Sequence, residues 1–80
     1  MAIRLVFLGK LADVAGAPEV EVDPAPNMDG LLRQVDEGLA GQLETHRIRV
    51  SLNGEIVADG RGIRPKDGDE IAFLPPVSGG

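Results

Sequence analysis

Residues 48–57, IRVSLNGEIV, constrain the chain more than any other stretch, because Ile48, Val50 and Leu52 alternate with Arg49 and Ser51 up to an Asn53-Gly54 pair. Alternation is the period of a half-buried strand. Asn-Gly supplies the positive φ angles that a type I′ hairpin turn needs. The stretch predicts a strand over 48–52, a tight turn, and a short returning strand over 55–57.

The remaining sequence supplies the partners of this hairpin. With 80 residues there is one small core and no room for a second domain. Apolar residues make up 42% and charged ones 26%, which argues for a globular domain and against disorder, collagen-like repeats or a membrane span. Ile3, Leu5 and Phe7 share one face of a strand over 3–8, and Val6 and Leu8 make its other face partly apolar, as in a central strand. Residues 11–15 form one short helical turn before Gly16 and Pro18 break it. The segment EVEV, 19–22, alternates as a half-exposed strand and is ended by Pro24 and Pro26.

Asn27 stands where an N-cap belongs, and Asp29 falls in the first turn, where a negative charge complements the helix dipole. Met28, Leu31, Leu32, Val35 and Leu39 follow in one apolar stripe and predict a single substantial helix, with Gly38 or Gly41 as its stop. Gly30 costs this helix ~1 kcal/mol relative to alanine, so packing on a sheet has to hold it. Residues 59–69 are turn-rich, and KDGDE reverses the chain into a last strand over 70–74.

Composition excludes several function classes. The net charge is −5 and the only aromatics are Phe7 and Phe73, so phosphate backbones are repelled and bases find no stacking platform. Nucleic acid is not an expected partner, whereas a basic groove on another protein is attracted. Without cysteine there are no disulfides, zinc–thiolate sites or side-chain thiol chemistry. His46, the one histidine, has no second ligand to complete a constellation and reads as a solvated loop residue. Asp67 and Asp69 read as a turn, and Arg61, Arg64 and Lys66 as a solvated loop, so no metal site is expected. The apolar run in MAIRLVFLGK is too short for a secretory signal, and no later stretch reaches membrane-spanning length. The chain reads as cytoplasmic, with no membrane partner.

The segment FLPPVSGG, 73–80, ends in a proline pair, a small hydrophobe, a serine and two glycines, which pack poorly into any core. Strand alternation puts one of Phe73 and Leu74 inside and leaves the other exposed near the exit, without saying which. Pro75 and Pro76 cannot donate to a sheet ladder and stiffen an extended exit. The division is then a folded domain over 1–74 and an extended tail over 75–80. The six tail residues span roughly 20 Å when extended, enough to enter a pocket on another protein. Gly79 and Gly80 carry no Cβ, so they fit a narrow channel and leave the Gly80 carboxylate unhindered.

The order strand, strand, helix, strand, short strand, strand is an α+β arrangement, with one main helix covering one face of a mixed sheet. It resembles the β-grasp, or ubiquitin-like, fold, which implies that the last strand runs parallel beside the first in the middle of the sheet. DGDEIAFLPPVSGG, 67–80, is similar to the C-terminal signature of the small, sulfur carrier subunit of molybdopterin synthase, of the MoaD/ThiS-like ubiquitin-like family. IRLVFLGKLADVAG, 3–16, resembles that family's first strand and following short helix.

The resemblance implies a non-catalytic, sulfur-donating subunit with no bound cofactor. A ubiquitin-activating-like adenylyltransferase would use ATP to form an acyl-adenylate on Gly80, and sulfide or a persulfide would displace AMP to leave a thiocarboxylate. The carrier would then dock into the synthase large subunit, as a heterotetramer, and give its sulfur to a pterin precursor of the molybdenum cofactor. Phe73, Leu74, Pro75, Pro76, Val77 and Ser78 are the expected partner-binding residues, leading to Gly79 and Gly80 at the reacting end. Two alternatives share the Gly-Gly end: a sulfur carrier for thiamine or cysteine synthesis, and a ubiquitin-like modifier joined to lysines.

Overall fold

The computed structural model describes residues 2–44, 47–57 and 62–75. Its elements are β1 (Ile3–Phe7), α1 (Lys10–Ala15), β2 (Glu19–Val22), α2 (Met28–Leu32), α3 (Glu37–Leu43), β3 (Arg49–Leu52), β4 (Glu55–Val57) and β5 (Glu70–Leu74). The five strands form one mixed sheet in the order β2-β1-β5-β3-β4. Last strand and first lie side by side and parallel, with Leu5 opposite Ile71 and Phe7 opposite Phe73. The other pairs, β1–β2, β3–β4 and β3–β5, are antiparallel. This is the β-grasp architecture.

The alternations read from the sequence decide which face is buried. Ile3, Leu5 and Phe7 of β1 and Ile71 and Phe73 of β5 point into the core. Val22, Val50 and the helical residues Leu11, Met28, Leu31, Leu32, Leu39 and Leu43 close over them. The Phe7 and Phe73 rings, brought opposite one another by the parallel register, stack at a centroid distance of 5.8 Å and an interplanar angle of 13°. Aliphatic side chains fill the rest, as a chain with two aromatics requires.

The hairpin turns as expected, with Asn53 at φ 52° and Gly54 at φ 90°. The single long helix does not form. Asn27 caps α2 by accepting from the Gly30 amide at 3.0 Å, but the helix stops at Leu32, and a second one begins after Asp36. Two competing sets of bonds cause the break. The Asp36 carboxylate accepts from the Gly38 amide at 3.0 Å, which fixes an N-cap where the stripe suggested continuation. The Gln34 side chain meanwhile reaches back to the Asp23 backbone, accepting from its amide at 2.7 Å and donating to its carbonyl at 2.8 Å. Gly38 and Gly41 therefore lie inside α3 rather than ending a helix.

Gly30 is explained by close approach. A Cβ there would lie 2.7 Å from the Ala25 Cβ, nearer than two carbons can come. The residue that costs helix propensity is what allows α2 to lie against the segment leaving β2.

Candidate functional site: the exit of the last strand

β5 occupies the centre of the sheet, yet its chain continues only if both neighbours get out of the way. On one side β1 ends at Phe7: Leu8 still donates its amide to the Phe73 carbonyl at 3.1 Å, and the chain then swings into α1 at Gly9. On the other side Arg49, the first residue of β3, is opposite Leu74, the last of β5. Pro75 follows half-buried, with no amide proton to extend the ladder. The sheet thus releases the C-terminal segment from its middle, between two strands that stop at the same level.

Strand alternation at the exit is resolved. Phe73 is 1% exposed and belongs to the core, which corrects its assignment as a candidate partner contact. Leu74 is half-buried on the opposite, outward face. Of the expected partner-binding residues the structure therefore brings Leu74 and Pro75 to the exit; Pro76, Val77, Ser78, Gly79 and Gly80 lie outside the described residues, as does His46.

The outward face around the exit holds apolar residues that the reading of the tail did not include. Register places Val6, Ala72, Ser51 and Ile56 in a row across the sheet, with Leu74 and Arg49 paired one step nearer the exit. Among the described residues, Leu8 and Ile56 are two of the large apolar side chains that are exposed. Signals for these residues were present: Val6 and Leu8 are the off-face apolar positions of the first strand, and the tight turn fixes Ile56 opposite Ser51. On the same face Arg4 lies 3.3 Å from Glu70 and 3.9 Å from Glu19. Such exposed pairs contribute at most about 1 kcal/mol, so they set local charge more than stability.

The start of β5 is anchored by Asn53. Its side chain accepts from the Glu70 amide at 2.9 Å and donates to Asp69 Oδ1 at 3.0 Å, while the Lys66 amide donates to Asp69 Oδ2 at 2.7 Å. The Asn53 hydrogen bond, followed by the Lys66 amide, holds the Asp69 carboxyl below its ordinary range. Asp69 is accordingly a turn residue, as expected, and the described residues contain no group of three or more His, Asp or Glu placed to hold a metal ion. An open hollow of about 470 Å³ lies between α2 and α3, lined in part by Leu32, Arg33, Glu37 and Glu44, and it takes no part in the exit. Among the described residues no helix is long and apolar enough to cross a membrane.

Known proteins resemble the chain over its whole length. The model of the ThiS family matches residues 5–80. The chain belongs to the ThiS family. It is 32% identical to the molybdopterin synthase sulfur carrier subunit of Chlamydomonas reinhardtii, over the whole of both chains. It also resembles small archaeal modifier protein 1 of Haloferax volcanii, at 32% identity and a TM-score of 0.71, covering all of both chains. A third relative is found in the complex of subunits 1 and 2 of the molybdopterin-converting factor of Helicobacter pylori, at 28% identity and a TM-score of 0.67, again over both full chains. By these relationships the ThiS-family chain described here is of the ubiquitin-like sulfur-carrier kind.

Proposed function

We propose that the chain is the small subunit of a molybdopterin synthase, carrying sulfur as a thiocarboxylate on Gly80 and giving it to a pterin precursor. The observation that carries this reading is the exit: a half-buried Leu74 and Pro75 at the open end of a central strand, leading into Pro76-Val77-Ser78-Gly79-Gly80. The full-length relationship to a molybdopterin synthase sulfur carrier subunit supports the choice of pathway.

The chemistry follows from the groups available. A carboxylate resists nucleophiles because its charge is delocalised and its oxygens are poor leaving groups. Attack of the Gly80 carboxylate on the α-phosphorus of ATP, releasing pyrophosphate, turns one oxygen into part of an AMP leaving group. Sulfide then displaces AMP, leaving C(=O)S⁻ at the same carbon. A ubiquitin-activating-like adenylyltransferase is the enzyme class for the first step, and the synthase large subunit is the partner for delivery. The Helicobacter pylori relative, a subunit in a two-subunit complex, supports the second partner. In this reading the part of the chain is reach and presentation of the Gly80 carboxylate, as a donor subunit.

Both partners have to accept the same exit, and the outward apolar face beside it, with Leu74 at its edge, is the surface they would share. Reconstitution tests the pathway: the thiocarboxylate form, mixed with the large subunit and the pterin precursor, is expected to yield the dithiolene product. A second reading, a modifier joined to lysines, is favoured by the likeness to small archaeal modifier protein 1. Abundant lysine conjugates ending in this tail, together with normal molybdenum cofactor levels in a deletion strain, would establish that reading over the first.

A further inference from the structure

The backbone of Gly9 lies against Pro75, the first residue of the tail. Its conformation, φ 57° and ψ −132°, belongs to glycine, because a Cβ in that region collides with its own backbone. The same bare Cα faces Pro75: a Cβ built on Gly9 would lie 3.1 Å from Pro75 Cγ and 3.9 Å from Cδ. Two features coincide in one residue. The turn at Gly9 diverts β1 into α1 and clears the path beyond β5, and its lack of a side chain seats the Pro75 ring where β1 has turned away.

We infer that Gly9 is a positioning residue for the C-terminal segment: it sets the direction in which Pro75 leaves the sheet and hence where the Gly80 carboxylate arrives in a partner's site. The inference rests on the carrier reading above. A proline transmits direction well, since its ring fixes its own φ near −65° and restricts the residue before it. A small rotation at Pro75 is then carried along the following residues, and a reacting carbon displaced by about 1 Å can cost on the order of a hundredfold in rate.

The consequence differs from that of a merely structural glycine. In the carrier reading docking uses the apolar side chains of the outward face, to which Gly9 adds none, so substitution is expected to leave the affinity of the carrier for its activating enzyme in place and to lower the rate once bound. The test measures adenylation, as ATP-dependent pyrophosphate release, for the full chain and for Gly9→Ala, Pro75→Ala and the double variant. Gly9→Ala is expected to lower kcat at least tenfold with KM for the carrier within about twofold. In the double variant kcat returns to the level of Pro75→Ala alone, because the added methyl has no ring to displace. An unchanged kcat in Gly9→Ala would overturn the inference. So would a loss that persists in full without the Pro75 ring, which would assign the effect to backbone strain. A wild-type chain that an active adenylyltransferase cannot adenylate contradicts the carrier reading itself, a result distinct from either. Nuclear Overhauser contacts between the Gly9 Hα protons and the Pro75 ring are expected in the wild-type chain, and their absence would overturn the geometry whatever the activity.

Discussion

At the residue scale, two neighbours in sequence have opposite duties. Phe73 stacks on Phe7 in the middle of the core, and Leu74 lies on the outward face beside the exit. Phe73→Ala is expected to destabilise the fold by about 3–5 kcal/mol, measured by urea denaturation, because it leaves a cavity under the central strands. Leu74→Glu should instead leave stability nearly unchanged and weaken binding to both the activating enzyme and the large subunit by about 1–3 kcal/mol. Calorimetry on the folded variant checks this, and unchanged affinity for both would place recognition on another face. Gly30 gives a third contrast. Alanine there would improve helix propensity by ~1 kcal/mol, but the added carbon meets Ala25 at 2.7 Å. Net destabilisation of about 1–2 kcal/mol is expected, and it should be relieved in Gly30→Ala combined with Ala25→Gly.

Among the elements, the strands were legible and the helices only partly so. A period of two, read through Ile3, Leu5 and Phe7 or through Val50 and Leu52, marks both a strand and its buried face. Val35 and Leu39 fit the stripe of one continuous helix equally well, yet α2 ends at Leu32 and α3 begins at Glu37, which leaves Val35 in the break. The break is set by Asp36 capping Gly38 and by Gln34 bonding to Asp23, a contact between residues far apart in the apolar pattern. The Asn53-Gly54 turn was legible as a turn but not as an anchor, because the bonds from Asn53 to Asp69 and Glu70 need the β3–β5 pairing that local sequence does not encode. That anchor has a pH signature. The folded state holds the Asp69 pKa below its unfolded value, so its contribution is present above the unfolded pKa, near 3.9, and is lost as pH falls through the folded one. Asp69→Asn should therefore be less stable than wild type at neutral pH, with the gap closing as the solution is acidified below about pH 4. A gap independent of pH, in urea titrations across that range, would exclude the carboxylate as the acceptor that matters.

For the whole molecule, the arrangement that matters is that the first strand is paired parallel with the last. Neither periodicity nor composition contains this pairing; it came from resemblance and is visible in the register of Phe7 with Phe73. The expected exit at Leu74 follows from it, together with the level at which both flanking strands stop, whereas Gly9 as a seat for Pro75 could not be read without the fold. The net charge of −5 also acts at this scale. If the partners present basic surfaces, salt should slow association more than it speeds dissociation.

The central claim, that Gly80 carries the sulfur, is tested most directly by intact-mass analysis of the chain incubated with an active adenylyltransferase, ATP and a sulfur donor. The account predicts a species heavier by the difference between one sulfur and one oxygen, located at Gly80 and abolished when Gly80 is deleted. A chain whose mass does not change under conditions in which the same enzyme adenylates its own carrier would contradict it.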